Sequence, residues 1–91
     1  MIGNMPHSRH LAPPSSPPLP GAPQYCPFLR GTGPEYIARH IQHHTYLWTM
    51  SGHSFWVYPI AVTNERLIAY AWNNEQWQLV QMELAAIDSI Y

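Results

Sequence analysis

Residues 66–91 read RLIAYAWNNEQWQLVQMELAAIDSIY, in which a polar tetrad, Asn73–Gln76, separates two apolar, aromatic-rich runs. Asparagine tolerates a positive φ, so Asn73-Asn74 predicts a tight hairpin that pairs Ala69–Trp72 with Trp77–Val80. After the second run, AA forms a short connector and IDSIY a short final strand. The stretch therefore predicts antiparallel β-structure that continues to the last residue of this sequence.

Two further β-type runs precede this stretch, TYLWTM at 45–50 and SFWVYPIAVT at 54–63. A turn at Gly52 separates them, and TNE turns the chain into RLIAYAW. Pro59 has no backbone N–H and cannot lie in the middle of a flat sheet, so the long run should bend there. Five short strands that are apolar on both faces favour a sheet that curls into a small barrel.

A helix of two to three turns is predicted before the first strand by GPEYIARHIQHH at 33–44. Gly33 suits the N-cap, Pro34 the first helical position, and Glu35 the positive end of the helix dipole. One face at helical spacing should pack on the sheet, and it carries Tyr36, Ile37, His40 and Ile41.

Composition divides the chain into two parts, 1–33 and 34–91. The first part holds eight of the ten prolines and four of the five glycines, whereas the second holds all four tryptophans. Proline disfavours helix and sheet interiors, so 1–33 predicts a disordered, polyproline-II-like arm and 34–91 the folded domain. Pro14-Ser15-Ser16-Pro17 has the PxxP spacing of a ligand for an aromatic groove, and the alternative is a simple spacer.

Charge and hydropathy exclude several classes of partner. The folded part carries two arginines against five acidic side chains, a net charge of −3, and the chain has no lysine. Because nucleic-acid binding needs clustered cations, we expect no nucleic-acid partner. The longest apolar run, 55–62, is too short to span a membrane, and no secretory signal is visible. We therefore expect a soluble protein made in the cytoplasm.

No catalytic constellation is visible, so a non-enzymatic protein is expected. The single cysteine, Cys26, lies among prolines and is either an idle thiol or a site of intermolecular crosslinking. His40 and His44, one turn apart on the predicted helix, are weak candidates for Zn²⁺ or Ni²⁺ ligands. The alternative roles are packing for His40 and a helix-end position for His44. We predict no bound metal and no other cofactor.

Large aromatic side chains supply the candidate interaction surface. A domain of 58 residues has one small interior, which cannot hold both apolar faces of these strands. In SFWVYPIAV, strand alternation places Trp56, Tyr58, Ile60 and Val62 on one face and Phe55, Val57 and Ala61 on the other. The exposed set should mark an interface. The candidate residues are Trp48, Trp56, Tyr58, Trp72 and Trp77.

Self-association is also expected. Lysines on edge strands commonly protect a sheet against edge-to-edge pairing, and this chain has none. We therefore predict a homo-oligomer or a constitutive complex with other proteins.

A short helix followed by five bent strands resembles the Sm-like, SH3-type barrel over residues 34–91, and in that fold the last short strand closes the barrel. Within it, EYI at 35–37, LIAYA at 67–71 and LVQMELAAIDSIY at 79–91 resemble the C-terminal half of the spore-coat germination protein Q family of Bacillus-type bacteria. That family also carries a Pro-rich N-terminal arm.

This resemblance implies a structural protein deposited in the spore coat, cross-linked by transglutaminase and needed to place a cortex-lytic hydrolase. The absence of lysine departs from the family, because an isopeptide bond needs a lysine amine. Glutamines could still act as acyl donors, and those available are Gln24, Gln42, Gln76, Gln78 and Gln81.

Two other resemblances give alternative functions. VYPIAVTNERLIAY at 57–70 and MELAAIDSI at 82–90 are similar to the core strands of WYL-type ligand-sensing domains, although the Trp-Tyr-Leu triplet is missing. Sm-type RNA binding comes third. Sm proteins bind RNA with an Asp or Asn loop after the second strand and with an Arg-Gly turn before the last strand. Asn64 lies in roughly the first of these loops, but LAAID, at the position of the second, has no Arg-Gly. We favour a structural or adaptor protein that binds other proteins.

Overall fold

The computed structural model of the protein describes residues 12–18, 20–24 and 33–91. Residues 33–91 form a mainly β domain with one short helix, α1 (Pro34–Ala38), and five strands in one antiparallel sheet. The strands are β1 (Thr45–Thr49), β2 (Ser54–Thr63), β3 (Arg66–Trp72), β4 (Trp77–Glu83) and β5 (Ile87–Ile90). The predicted mainly β class and the succession of one helix and five strands are confirmed.

The sheet is open but curled. Its strand order is β4-β3-β2-β1-β5, so β4 and β5 form opposite edges, yet only the 3₁₀ turn Leu84–Ala86 joins them along the chain. Four Cα steps span at most about 15 Å, whereas the edges of a flat five-stranded sheet lie about 19 Å apart. The sheet must therefore curl at this end. No ladder pairs β4 with β5 among the described residues, so the predicted closed barrel is not confirmed.

Strand β2 bends at Pro59, as the sequence predicts. Pairing with β1 reaches only to Thr45↔Val57, and the register with β3 shifts between Pro59 and Ala61. The Pro59 carbonyl accepts a hydrogen bond from the Gln42 backbone N–H at 2.8 Å. Since the N and C=O of a strand residue point to the same side, the proline ring nitrogen faces a loop, and the missing N–H costs no ladder bond.

The irregularity at Ile60 changes which side chains of β2 point inwards. Val57 belongs to the core, and Val62, beyond the bulge, packs on the same core. Trp56 and Tyr58 alternate with Val57 and point to the opposite face. The predicted grouping of Val62 with Trp56 and Tyr58 is therefore wrong, because the extra residue of a bulge reverses the alternation of side chains.

The core is aliphatic and lies between one face of the sheet, here called the inner face, and α1. Each of its larger side chains contributes about 1.5–3 kcal/mol relative to an exposed position. Among the described residues, no tryptophan belongs to this cluster. Its members are Ile37, Leu47, Val57, Leu67, Ala69, Leu84, Ile87 and Ile90.

Helix α1 is shorter than predicted and has only five residues. It begins as expected, with Pro34 in the first turn and the Ile37 N–H donating to the Gly33 carbonyl at 3.0 Å. The backbone N–H groups of residues 39, 40 and 41 bond to the third residue back instead of the fourth. These 3₁₀-type turns, followed by Gln42 at a φ of 65°, end the helix. The predicted two to three helical turns are therefore wrong.

The β3–β4 hairpin has the predicted pairing, with Trp72↔Trp77 next to the loop and Ala69↔Val80 further along. Of the two loop asparagines, Asn74 has the positive φ, at 78°. Asn73 acts through its side chain, whose Oδ1 accepts hydrogen bonds from the backbone N–H groups of residues 75 and 76 at 3.0 and 2.9 Å. The two asparagines thus stabilise the turn in different ways, Asn74 through its backbone conformation and Asn73 through its side-chain hydrogen bonds.

Candidate protein-interaction surface

The outer face of the sheet, opposite the core, carries the large aromatic side chains. Strand alternation with the core residues places them there. We call this set the aromatic face, and it comprises Tyr46, Trp48, Trp56, Tyr58, Tyr70, Trp72 and Trp77. The structure therefore brings together all five residues predicted from the sequence, and each of those five is half-buried.

Tyr46 is a member of this face that the sequence analysis left out, and it organises the first of two ring clusters. Its ring lies 5.1 Å from that of Trp48 and 5.1 Å from that of Trp56, both edge-to-face. Its hydroxyl lies 3.0 Å from the Ser54 Oγ, within hydrogen-bond distance. Such ring pairs contribute about 0.5–1.5 kcal/mol beyond burial. The available signal was the shared strand parity of Tyr46 and Trp48 in TYLWT.

The second cluster lies at the β3–β4 hairpin. Trp72 and Trp77 are the cross-strand pair next to the loop, with ring centroids 5.2 Å apart. Tyr58 lies 6.4 Å from Trp77. His44 joins the cluster, because its ring is 5.6 Å from both Tyr58 and Trp77. The hairpin thus positions two tryptophans, and the turn before β1 adds an imidazole.

The two candidate metal ligands, His40 and His44, have different surroundings. Because α1 ends at Ala38, the helical spacing on which the metal hypothesis rests is absent. His40 contacts the Tyr36 ring at 5.5 Å, whereas the His44 ring lies against Tyr58 of the aromatic face. Among the described residues, no three His, Cys, Asp or Glu side chains form a group that could hold a metal ion. His7, His10 and Cys26 lie outside those residues.

His40 has a packing environment, with its Nδ1 lying 3.2 Å from the Thr45 Oγ1. The Thr45 hydroxyl donates to the His43 carbonyl at 2.9 Å, so it can only accept from His40. His40 therefore carries a proton on Nδ1. Burial, and to a lesser extent the charge of His43, lowers the pKa of His40. The neutral ring is thus favoured in the folded protein.

The proline-rich part of the chain lies against the aromatic face. We call residues 12–18 and 20–24 the proline segment. The Trp77 indole Nε1–H donates a hydrogen bond to the Ser16 carbonyl at 3.0 Å. Residues 13–17 line a groove together with Trp72 and Trp77. The PxxP residues 14–17 therefore lie on an aromatic groove of their own chain, which the sequence analysis did not foresee.

The same segment continues to the first ring cluster. Gly21 has a φ of 83°, a conformation that glycine adopts without strain, and this allows the chain to turn there. Gly21 and Ala22 line a groove with Tyr46 and Trp56, and residues 20–23 lie beside His44. The proline segment thus crosses both aromatic clusters.

Another groove lies where the β2–β3 turn approaches the 3₁₀ turn. Its volume is about 520 Å³. Arg66 lines it together with Glu65 and Glu83. One cation beside two anions does not favour a phosphate-bearing ligand. The remaining lining residues are Pro34, Asn64, Leu84 and Ala85.

Comparison of the chain with protein-family models, with curated proteins and with solved structures gives no match. The structure itself defines the class as a small, mainly β protein with one curled five-stranded antiparallel sheet and one short helix. Among the described residues, no helix is both long and apolar enough to cross a membrane. The resemblances to spore-coat and WYL-type proteins stay predictions.

Proposed function

We propose that the protein is a non-enzymatic structural or adaptor protein that binds other proteins through its aromatic face. The observation that supports this most is the position of the four tryptophans, all of which lie on the outer face and none in the core cluster. Tryptophan and tyrosine are enriched in protein interfaces, where they supply large contact areas. A half-exposed patch of this kind marks an interaction site.

The charge around the face supports a protein partner. Among the described residues, Glu75 is the one charged side chain that lines the groove beside the aromatic cluster of the hairpin. The centres of protein interfaces are poor in charged groups, whereas nucleic-acid sites are rich in cations. We therefore propose protein partners and no nucleic-acid partner.

Partner capture with variants of the full chain tests this function. A partner retained by the wild type should be purified and its affinity measured for Trp72→Ala and for Leu79→Ala, since Leu79 is 56% exposed on β4. Interface tryptophans contribute about 2 kcal/mol or more, so Trp72→Ala should weaken binding roughly 30-fold. Leu79→Ala should leave it nearly unchanged. Equal affinities for wild type and Trp72→Ala would count against the aromatic face.

Self-association through strand edges is the second part of the proposal. Within residues 33–91, no strand pairs with the outer edges of β4 and β5, and no lysine protects them. We propose a homo-oligomer that forms by edge pairing and persists at high salt, because the contacts are apolar and hydrogen-bonded. Sedimentation of a monodisperse 10.5 kDa species at tens of micromolar would contradict it.

The finer description of the fold as an Sm-like barrel is also a proposal. It is supported by the pairing of β5 with β1 and by the three-residue link between β4 and β5. The spore coat as the place of action rests on the resemblance described above. Fractionation of spores and vegetative cells tests that location. Detection of the protein in vegetative cells alone would contradict a spore-coat location.

The alternative is a small-ligand-sensing, WYL-like module, and the groove at Arg66 is the observation that favours it. Its volume of about 520 Å³ is adequate for a small molecule. A ligand that raises the melting temperature of the wild type but not of Arg66→Ala would support this alternative. An Sm-type RNA-binding role ranks third because of the net charge of −3 in residues 34–91.

A further inference from the structure

We propose that the aromatic face recognises proline-rich peptides, and that residues 13–17 occupy it as a built-in ligand that a partner's proline-rich segment displaces. This inference rests on the proposed function and names the ligand class of the same surface. Three features support the inference: the contacts of the proline segment, its exposure, and the short link that joins it to the folded domain.

The contacts are those expected of a proline-rich ligand. The segment bends at Ser15 and Ser16, and its prolines lack the N–H that an internal backbone hydrogen bond needs, so its carbonyl groups can accept bonds from a receptor. The Trp77 indole N–H supplies such a donor to the Ser16 carbonyl at 3.0 Å. Residues 13–17 also lie beside the rings of Trp72 and Trp77. The two indole rings, tilted at 59° to each other, offer apolar surface to proline rings, and the Trp77 N–H offers a donor to a backbone carbonyl.

Exposure shows that the segment is a surface ligand and not a part of the core. Pro13, Ser15, Ser16 and Pro17 are exposed, and Pro14 is half-buried. In contrast, β1, β2, β3 and β5 each contribute at least one buried residue, and Val80 and Met82 of β4 are half-buried. Removing the segment from the face would therefore leave the aliphatic cluster on the inner face intact.

The tether decides which ligand can exchange with the segment. Eight residues, 25–32, connect the proline segment to Gly33. A short tether gives an effective concentration in the millimolar range. At micromolar protein, the segment of a second copy cannot compete with the one in cis. A productive external ligand is therefore a partner segment that binds more tightly or is present in several copies.

Tryptophan indole resonances of the ¹⁵N-labelled full chain test the inference. The probe is a synthetic peptide with the sequence of residues 12–24, APPSSPPLPGAPQ, and its control replaces every proline by alanine. The full-length variant Pro13→Ser/Pro14→Ser/Pro17→Ser weakens the segment in cis, and Ser15→Ala is its matched control with the prolines retained. Trp77→Phe assigns the Trp77 signal.

The triple variant should have a shifted Trp77 indole signal. It should also bind the peptide about tenfold more tightly than wild type, because a wild-type face about nine-tenths occupied in cis leaves only about one-tenth of the molecules free to bind. Ser15→Ala should behave like wild type, and the alanine peptide should bind at least about tenfold more weakly than the proline peptide. Unchanged signals from Leu47 and Ile90 verify the fold. If the triple variant unfolds, excess unlabelled peptide added to the ¹⁵N-labelled wild type should shift the backbone amide signals of Ser15 and Ser16, because the peptide displaces those residues from the face.

Three results would overturn the inference. The first is a Trp77 signal of the triple variant that does not move at saturating peptide. The second is equal binding of the alanine peptide. The third is a wild-type dimer that the proline substitutions abolish, which would place the segment on a second copy. A different result would contradict the proposed function itself, namely a Trp72→Ala variant that binds the partner with full affinity. If Trp72→Ala loses the partner but the proline peptide does not compete with it, the proposed function stands and this inference falls.

Discussion

The two faces of one sheet differ in chemistry and in what covers them. The inner face carries aliphatic side chains such as Leu47 and Val57, which are fully buried. The outer face carries all four tryptophans, each of which keeps part of its surface exposed. Burial of apolar surface is the main driving force of folding, whereas half-exposed aromatic groups suit binding. Under the proposed function, this small domain separates stability and recognition on opposite sides of its strands.

The covers of the two faces differ as well. The inner face is covered by Ile37 of α1 and by Leu84 of the 3₁₀ turn, both of which belong to the buried core. The outer face is covered by the proline segment, in which Pro13 and Pro17 remain exposed. The inner cover is part of the fold, and the outer cover can be displaced.

The largest effect is expected on the inner face. Leu47→Ala should lower the free energy of unfolding by about 2–5 kcal/mol, because Leu47 is fully buried and the substitution leaves a cavity. The matched control Leu79→Ala removes the same atoms from an outer-face residue that is 56% exposed, and should change stability by about 0.5 kcal/mol or less. Urea denaturation measures both. Similar losses for the two leucines would break the comparison.

The hairpin loop gives a smaller effect that is confined to the outer face. Asn73→Ala removes the acceptor of two backbone hydrogen bonds and should cost about 1 kcal/mol. It should also broaden the indole signals of Trp72 and Trp77. Asn74→Gly is the control, since glycine adopts a φ of 78° readily. An Asn74→Gly variant as unstable as Asn73→Ala would show that the side-chain bonds are unimportant.

The indole hydrogen bond separates docking of the proline segment from folding. Trp77→Phe retains an aromatic ring but loses the donor to Ser16. The docked state of the segment should weaken by about 0.5–1.5 kcal/mol, while unfolding in urea stays within about 0.5 kcal/mol of wild type. Faster proteolysis within residues 12–24 at an unchanged denaturation midpoint is the expected readout. Loss of global stability without faster cleavage would instead assign Trp77 to the fold.

The smallest effect is the contribution of His40 to the pH dependence of stability. Burial lowers the pKa of His40 below its ordinary value of 6.5, so the unfolded state binds more protons over the interval between the two values. The contribution to stability is complete above pH 6.5 and decreases as pH falls through 6.5 towards the folded pKa. Denaturation of wild type and His40→Gln between about pH 5 and 8 tests this. The variant should show a weaker decrease, and identical pH profiles would argue against burial of His40.

Local signals explain how much of the fold could be predicted. The Asn73–Gln76 tetrad and the alternation on either side of it predicted the hairpin and its register, because turn chemistry and strand parity are local properties. The bend at Pro59 followed from its missing N–H. The bulge at Ile60 could not be predicted, because it depends on where β1 stops pairing with β2.

Tertiary contacts account for the other differences. The sequence of residues 33–44 predicts a longer helix than the structure has. A helix through Gln42 is prevented because the Gln42 backbone N–H donates to the Pro59 carbonyl in β2. The tryptophans of the candidate surface were predicted from their size and number, but the docking of the proline segment was not. Ser16 and Trp77 are 61 positions apart, and no local pattern predicts which carbonyl meets which indole.

The most direct test of the central claim, that the outer face is a binding surface occupied by the chain's own proline segment, is a NOESY spectrum of the full-length protein. NOEs are expected between the Trp77 indole Nε1–H and protons of Ser16 and Pro17, because the indole nitrogen lies 3.0 Å from the Ser16 carbonyl oxygen. The methyl groups of Leu47 on the inner face should show no NOE to that indole. Absence of the Ser16 and Pro17 NOEs, together with hydrogen exchange of the Trp77 indole as fast as in free tryptophan, would contradict the claim.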